Sequence, residues 1–189
     1  MKGQKMNKHQ QDRELRKIQD GDEQSFGKVY DWYVDKIYRY VFLKIGSKEK
    51  VEEIVQDVFL KFWRFVRDKE NEVKDINALL YSIAKSMIAD YYRSAGENII
   101  SLDETMMIED ETSEEETMSD DIDISLDIEK VKGVLKRMPQ IYQDVIIMKF
   151  VEEMEHSEIA EALGKEEGNV RVLAHRALKQ LRELLKSDD

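Results

Sequence analysis

The chain has no cysteine, one proline, eight glycines and three histidines among its 189 residues. Without cysteine there is no disulfide framework and no thiolate metal site. So little proline and glycine argues against a turn-rich β architecture and for long helices. His9, His156 and His175 are the only imidazoles. No nucleophile–base pair or metal-ligand spacing emerges around them, so no enzymatic activity, cofactor or metal is expected. No apolar run approaches the roughly 18 residues that span a bilayer. The opening stretch MKGQKMNKHQQDRELRK is basic and polar and lacks the apolar core of a signal peptide. A cytoplasmic protein is expected.

Charge is plentiful and unevenly spread. The formal net charge is −11, from 30 basic and 41 acidic residues. Residues 97–127 hold thirteen Asp or Glu and no Lys or Arg, which leaves 28 acidic residues elsewhere and a nearly neutral remainder. The acidity therefore belongs mostly to one segment. High charge with scattered apolar residues predicts a flexible tether over 96–126. A chain of that length has an r.m.s. span of roughly 30 Å and reaches about 100 Å when extended.

Hydrophobic periodicity predicts an all-α protein of two small helical domains on either side of this tether. Residues 1–11 are expected to be a flexible N-terminus, 12–95 the first domain and 127–189 the second. Helices are expected over Asp12–Gln19, Glu23–Ile45, Lys48–Arg67 and Ile76–Ser94. Gly46 is placed to end the second and Ser47 to cap the third. The second domain is expected to begin with a helix near Leu126. Another starts at Met138–Pro139, with Pro139 at the first helical position, and ends near Val151.

The last stretch, HSEIAEALGKEEGNVRVLAHRALKQLREL, predicts a short helix, a tight turn and a longer basic helix. Ser157 is placed to cap the first helix, and Gly164 follows its last apolar residue. In the second, Val170, Leu173, Ala174, Ala177, Leu178, Leu181 and Leu185 form an apolar stripe. The opposite face carries Arg171, His175, Arg176, Lys179, Arg182 and Lys186. From periodicity alone this is either a helix-turn-helix reader of the DNA major groove or two ordinary bundle helices with a solvated basic face.

Blocks in a particular order add a resemblance. VEEIVQDVFLKFWRF is followed by INALLYSIAKSMIADYYRS, then the acidic gap. After it comes LKRMPQIYQDVIIMKFVEEMEHSEIAEALGKEEGNVRVLAHRALKQLREL. In this order they resemble the extracytoplasmic-function sigma factors, minimal two-domain bacterial initiation factors. The resemblance implies a region 2-like bundle and a region 4-like helix-turn-helix joined by the acidic linker. It implies binding to the RNA polymerase core and to promoter DNA, with an anti-sigma factor as a further partner.

Carried over by position, the resemblance places Glu53, Gln56, Asp57, Phe59 and Leu60 against the clamp helices of the largest polymerase subunit. It places Tyr81, Lys85, Ser86, Asp90, Tyr92 and Arg93 at the downstream (minus-ten) promoter element, where melted bases need stacking platforms and cations. The loop Asp68–Asp75 matches the family's base-capturing position. The usual Trp-Leu-Tyr and Ala-Arg-Asn are here Leu79-Leu80-Tyr81 and Ala84-Lys85-Ser86. At the upstream (minus-thirty-five) element the resemblance places Asn169, Arg171, Val172, His175, Arg176 and Lys179. The usual Gly-Thr-Val-Lys-Ser-Arg is Gly168-Asn169-Val170-Arg171-Val172-Leu173, which implies an altered sequence preference. The rival is a helix-turn-helix regulator that forms no polymerase holoenzyme; it would have no use for the N-terminal block.

Overall fold

The computed structural model describes residues 6–96 and 128–187, and among these residues there is no strand. The acidic tether beyond Gly96 lies outside the described residues. The elements are α1 (Lys8–Gln19), α2 (Glu23–Ile45), α3 (Lys48–Arg67), α4 (Ile76–Ala95), α5 (Ile128–Leu135), α6 (Gln140–Ile146), a π-helical segment (Ile147–Val151), α7 (His156–Leu163) and α8 (Glu167–Ser187).

The first module is built on α3. Its residues Val51, Ile54, Val55, Val58, Phe59, Phe62 and Val66 are buried, and they fall on one side of the helix at 3.6 residues per turn. They pack with Val29, Tyr33, Ile37 and Val41 of α2 and with Leu80, Ala84 and Ile88 of α4. Fully burying a large apolar side chain is worth about 1.5–3 kcal/mol, so this set provides most of the module's cohesion. Gly46 ends α2 in the left-handed region at φ 82°, a conformation that costs glycine little. Asp75 caps α4 by accepting the Ala78 N–H at 2.8 Å.

Several expected helix ends move. The first helix begins at Lys8 rather than Asp12, because Asn7 and Gln10 form a reciprocal capping box that satisfies otherwise orphan N–H groups. Gln11 then ties this helix to the module: its Oε1 accepts the Ile76 N–H at 2.9 Å and its amide donates to the Met6 carbonyl at 3.2 Å. Ser47 stands at the cap of α3 without a side-chain capping bond; its hydroxyl donates to Glu49 instead. Glu155, not Ser157, caps α7, through a capping box with Glu158. Pro139 sits one residue before the helical run, at the cap of α6.

The helix predicted to run to Val151 changes character at Ile147, where it widens into the π-helical segment. The Glu152 N–H reaches back to the Ile147 carbonyl at 3.0 Å. Glu153 follows in the left-handed region at φ 52°, a strained conformation for a residue with a Cβ. Apolar periodicity does not distinguish an i→i+4 from an i→i+5 ladder over a single turn, so the sequence carried no sign of it.

The buried residues of both modules join in one cluster. α7 packs on α4 across the junction, and three polar contacts cross it as well. At the first, Lys132 of α5 lies over the Phe42 ring, 4.4 Å from its centroid. At the second, Asp144 of α6 accepts from Tyr40 Oη at 2.7 Å and from Lys44 Nζ. At the third, Glu152 receives the Arg39 guanidinium as a two-bond fork at 3.0 and 2.9 Å.

Candidate nucleic-acid interface

Helices α7 and α8 meet through the turn at Gly164, which adopts φ 65°. Ile159, Ala160, Ala162 and Leu163 of α7 and Val170, Leu173, Ala174, Ala177, Leu178 and Leu181 of α8 are buried, and the two helices pack on each other. This apolar seam fixes the angle of α8 and leaves its other side outward. Arg171, His175 and Lys179 recur every fourth residue and are exposed, as is Val172 beside them. Asn169 is exposed in the first turn, where unsatisfied N–H groups and the helix dipole favour an anion such as a phosphate. Arg176 lies at the margin, half-buried, close enough to Tyr142 for its charge to act on that phenol. Arg171 is tied to Glu167 one turn earlier at 2.6 Å, which aims its guanidinium along the N-terminal end of the helix.

On α4 the six predicted positions separate. Ser86, Asp90 and Arg93 are exposed and lie on one side; Asp90 and Arg93 pair at 3.0 Å. Lys85 is half-buried. Tyr92 is half-buried too, and its hydroxyl donates to the Lys44 carbonyl at 2.6 Å. Its phenol thus holds the last turn of α2, while its ring packs edge-on to Tyr91 at 5.5 Å. Tyr81 is a correction to the sequence-based expectation of a surface contact. It is 0 % exposed, packed edge-on against Tyr40 at 5.2 Å. Burial, and next the charge of Glu152, raise its phenol well above the ordinary value. Facing both modules at once is what removes it from solvent.

The predicted positions on α3 lie opposite its buried stripe. Glu53, Gln56, Asp57 and Leu60 are exposed and follow one another along a single outward line at helical spacing. Leu60 is 44 % exposed, an apolar side chain on an otherwise polar face. Lys50 pairs with Glu53 at 2.7 Å. Phe59 is the second correction: only 2 % exposed, it packs at a 57° tilt against Tyr30 with 4.7 Å between centroids. It supports the face from beneath and does not form it.

The loop 68–75 borders a solvent-open cleft with α1, lined by Asp12, Arg16, Gln19, Lys69, Asn71 and Glu72 among others. Asn71 is held by donating to the Phe65 carbonyl at 3.1 Å. Among the described residues no group of acidic or imidazole side chains could hold a metal, and no helix is long and apolar enough to cross a membrane.

The junction residues Arg39, Tyr40, Lys44, Asp144 and Glu152 were not anticipated. One signal for them exists in the sequence: an aspartate inside the apolar run from Tyr142 to Met148. A buried carboxylate requires a partner, although the run does not say which.

Comparison with known proteins agrees with this geometry. Residues 29–97 match Sigma-70 region 2, and residues 128–181 match Sigma-70 region 4. The chain belongs to the extracytoplasmic-function sigma factor family. It is 27% identical over 174 residues to the ECF RNA polymerase sigma factor BldN of Streptomyces coelicolor, covering 92% of this chain and 65% of that protein. It is 25% identical over 178 residues to SigW of Bacillus subtilis, covering 91% of this chain and 95% of that one. Among solved structures, CnrH in complex with the cytosolic domain of CnrY aligns over 95% of this chain and 99% of its own, with a TM-score of 0.72 at 18% identity. At that identity the likeness concerns the fold.

Proposed function

We propose that this chain binds the RNA polymerase core, directs it to particular promoters and aids promoter melting. The observation that carries this is the joint presence of region 2 and region 4 in one chain. The outward line Glu53–Gln56–Asp57–Leu60, braced by Phe59, is the polymerase-docking face. Lys85, Ser86, Asp90, Tyr92 and Arg93 engage the downstream element, cations on the strand and the aromatic ring against a base. Asn169, Arg171, Val172, His175, Arg176 and Lys179 engage the upstream element. There phosphate contacts set register and base-edge contacts set sequence, with Val172 against a thymine methyl.

The protein itself performs no covalent chemistry in this role; the polymerase does. Its place of action is the cytoplasm. An anti-sigma partner belongs to the same proposal, supported by the family and by the similarly folded sigma factor RpoE of Bartonella quintana, whose structure was solved in complex with the anti-sigma factor NepR. The rival, a regulator that forms no holoenzyme, leaves the region 2 match over residues 29–97 without a use.

The test is run-off transcription with core polymerase on genomic DNA, with start sites mapped. New start sites that depend on this protein and share two spaced elements are expected. Absence of any association with core polymerase would overturn the proposal.

A further inference from the structure

Helix α1 lies outside the segment that matches region 2, which begins at residue 29. It carries none of the positions assigned to polymerase or to promoter DNA. Its polar side chains nevertheless converge on one short stretch of chain. That stretch is 68–75, which connects the docking helix α3 to the strand-engaging helix α4 and forms neither helix nor strand.

α3 and α4 pack directly on each other, so α1 is not needed to keep them together. What it holds is the connection. Where the chain leaves α3, Asp20, just past the end of α1, pairs with Lys69 at 3.1 Å. Where the chain enters α4, Lys8 donates to the Lys74 carbonyl, and Gln11 Oε1 accepts the Ile76 N–H at 2.9 Å. These contacts are unequal. The Lys69 and Asp20 side chains are 71% and 75% exposed, and such a pair contributes little. Lys8 is exposed as well. Gln11 is buried, and Ile76 is wholly so, so removing the acceptor strands a donor away from water. Ile76 opens α4, and the first N–H groups of a helix have no partner within it. Asp75 satisfies the Ala78 N–H, and Gln11 satisfies that of Ile76. The Gln11 amide also donates to the Met6 carbonyl at 3.2 Å, which fixes the direction of the side chain.

The stretch held in this way adjoins the working surface. Val73, Lys74 and Asp75 border one cleft together with Leu79 and Ser82 of α4, and Ser82 stands one turn before Ser86 on the exposed side of that helix. Ordering an irregular segment costs conformational entropy. A segment ordered in advance does not incur that cost when its ligand arrives.

We propose that α1 is a positioning element for the melted strand, acting through Gln11. It keeps the connection 68–75 and the first turn of α4 in a strand-ready arrangement, and itself touches neither DNA nor polymerase. The functional half of this assignment rests on the proposed promoter role. Its signature is a protein that docks normally and melts promoters poorly once Gln11 is disabled.

Two variants of the full chain separate this role from plain structural support. Gln11→Met keeps the length of the side chain and loses both bonds. Gln11→Glu keeps an acceptor for the Ile76 N–H, where a carboxylate also suits the start of α4, and loses the donation to Met6. Both are compared with the parent at a temperature where circular dichroism shows all three fully folded. Amide exchange over 68–78 should quicken in Gln11→Met and stay near the parent in Gln11→Glu, with the peptides of α3 alike in all three. Gln11→Met should co-elute with core polymerase as the parent does. Its run-off transcription from a mapped promoter should fall by about 5–150-fold, together with the permanganate reactivity of unpaired thymines there, and Gln11→Glu should restore most of both. Parental transcription by Gln11→Met overturns the assignment, as does exchange over 68–78 that the substitution leaves unmoved. Equal defects in Gln11→Met and Gln11→Glu overturn it too, since the acceptor for Ile76 would then not be what matters. A parent that does not associate with core polymerase removes the promoter role and the functional half of this assignment with it, a result distinct from a parent and a Gln11→Met variant that transcribe alike.

Discussion

Removing the carboxylate of Asp144 should separate the modules before it unfolds either one. The Lys44 ammonium and the Tyr40 hydroxyl both depend on that oxygen. Burial, with Asp144 next, keeps the Tyr40 phenol far above its ordinary value, so it remains a donor. In Asp144→Ala the ammonium is left buried without a counter-charge, which costs about 3–5 kcal/mol when nothing relaxes. Relaxation is available, since parting α2 from α6 returns Lys44 to water. The observed loss is therefore capped by the docking free energy of the modules. Replacing both charges, Lys44→Met with Asp144→Leu, keeps the volume and removes the need for hydration. That double variant should be neutral or up to about 1–4 kcal/mol more stable than the parent. The assay is denaturant unfolding of the full chain for the parent, both single variants and the double variant, with amide exchange separating local from global opening. A coupling energy near 3 kcal/mol is expected, at the upper end for contacting residues. A coupling below about 0.5 kcal/mol, the scatter seen for independent sites, would refute the idea that this pair organises the boundary.

Three further outcomes are expected. Burial raises the Glu152 carboxyl above the ordinary carboxylate range, outweighing the opposing Arg39 hydrogen bonds and charge. The folded protein therefore holds this proton more tightly than the unfolded chain. The group's contribution is fully present below the unfolded carboxylate value and is lost as pH rises through the raised one; subtracting the stability–pH curve of Glu152→Gln from that of the parent should leave a difference that declines across that window, and a flat difference contradicts it. Gly46→Ala should destabilise by about 1–2 kcal/mol because φ is 82°, whereas Gly27→Ala, inside α2 with open space around its Cβ position, should stabilise by about 0.5–1 kcal/mol; thermal melts with the same sign for both would be wrong for this backbone. Arg171→Ala should weaken binding to the mapped upstream element by about 1–3 kcal/mol and relax selectivity at one base pair, and promoter competition that is unchanged would remove Arg171 from the interface.

Most helices were legible because each carries its own evidence. Glu23–Ile45 and Lys48–Arg67 show an uninterrupted apolar stripe, and Gly46 between them leaves few ways to connect two helices. The outward positions Gln56, Asp57, Leu60, Arg171 and His175 were legible for the same reason, since a residue off the stripe of an amphipathic helix faces away from its own core. Tyr81 was misplaced because an aromatic beside the stripe can point either way, and its neighbours on other helices, here Tyr40 and Glu152, decide. Phe59 lies on the buried stripe of its own helix, and only the family resemblance set it on the docking face. The cap at Glu155 was missed because three serine or acidic residues near His156 compete for that role, and only the backbone geometry selects one.

The sequence by itself determined two helical modules, their order, and the side of each helix turned outward, because those properties follow from spacing along one helix and from the identities of its neighbours in the chain. Only the tertiary structure decided how the modules meet. Tyr40 and Asp144 are 104 residues apart, and Arg39 and Glu152 are 113. No local pattern links such positions. A buried carboxylate announces that it needs a partner, but the partner's identity is set by where the chain returns in space.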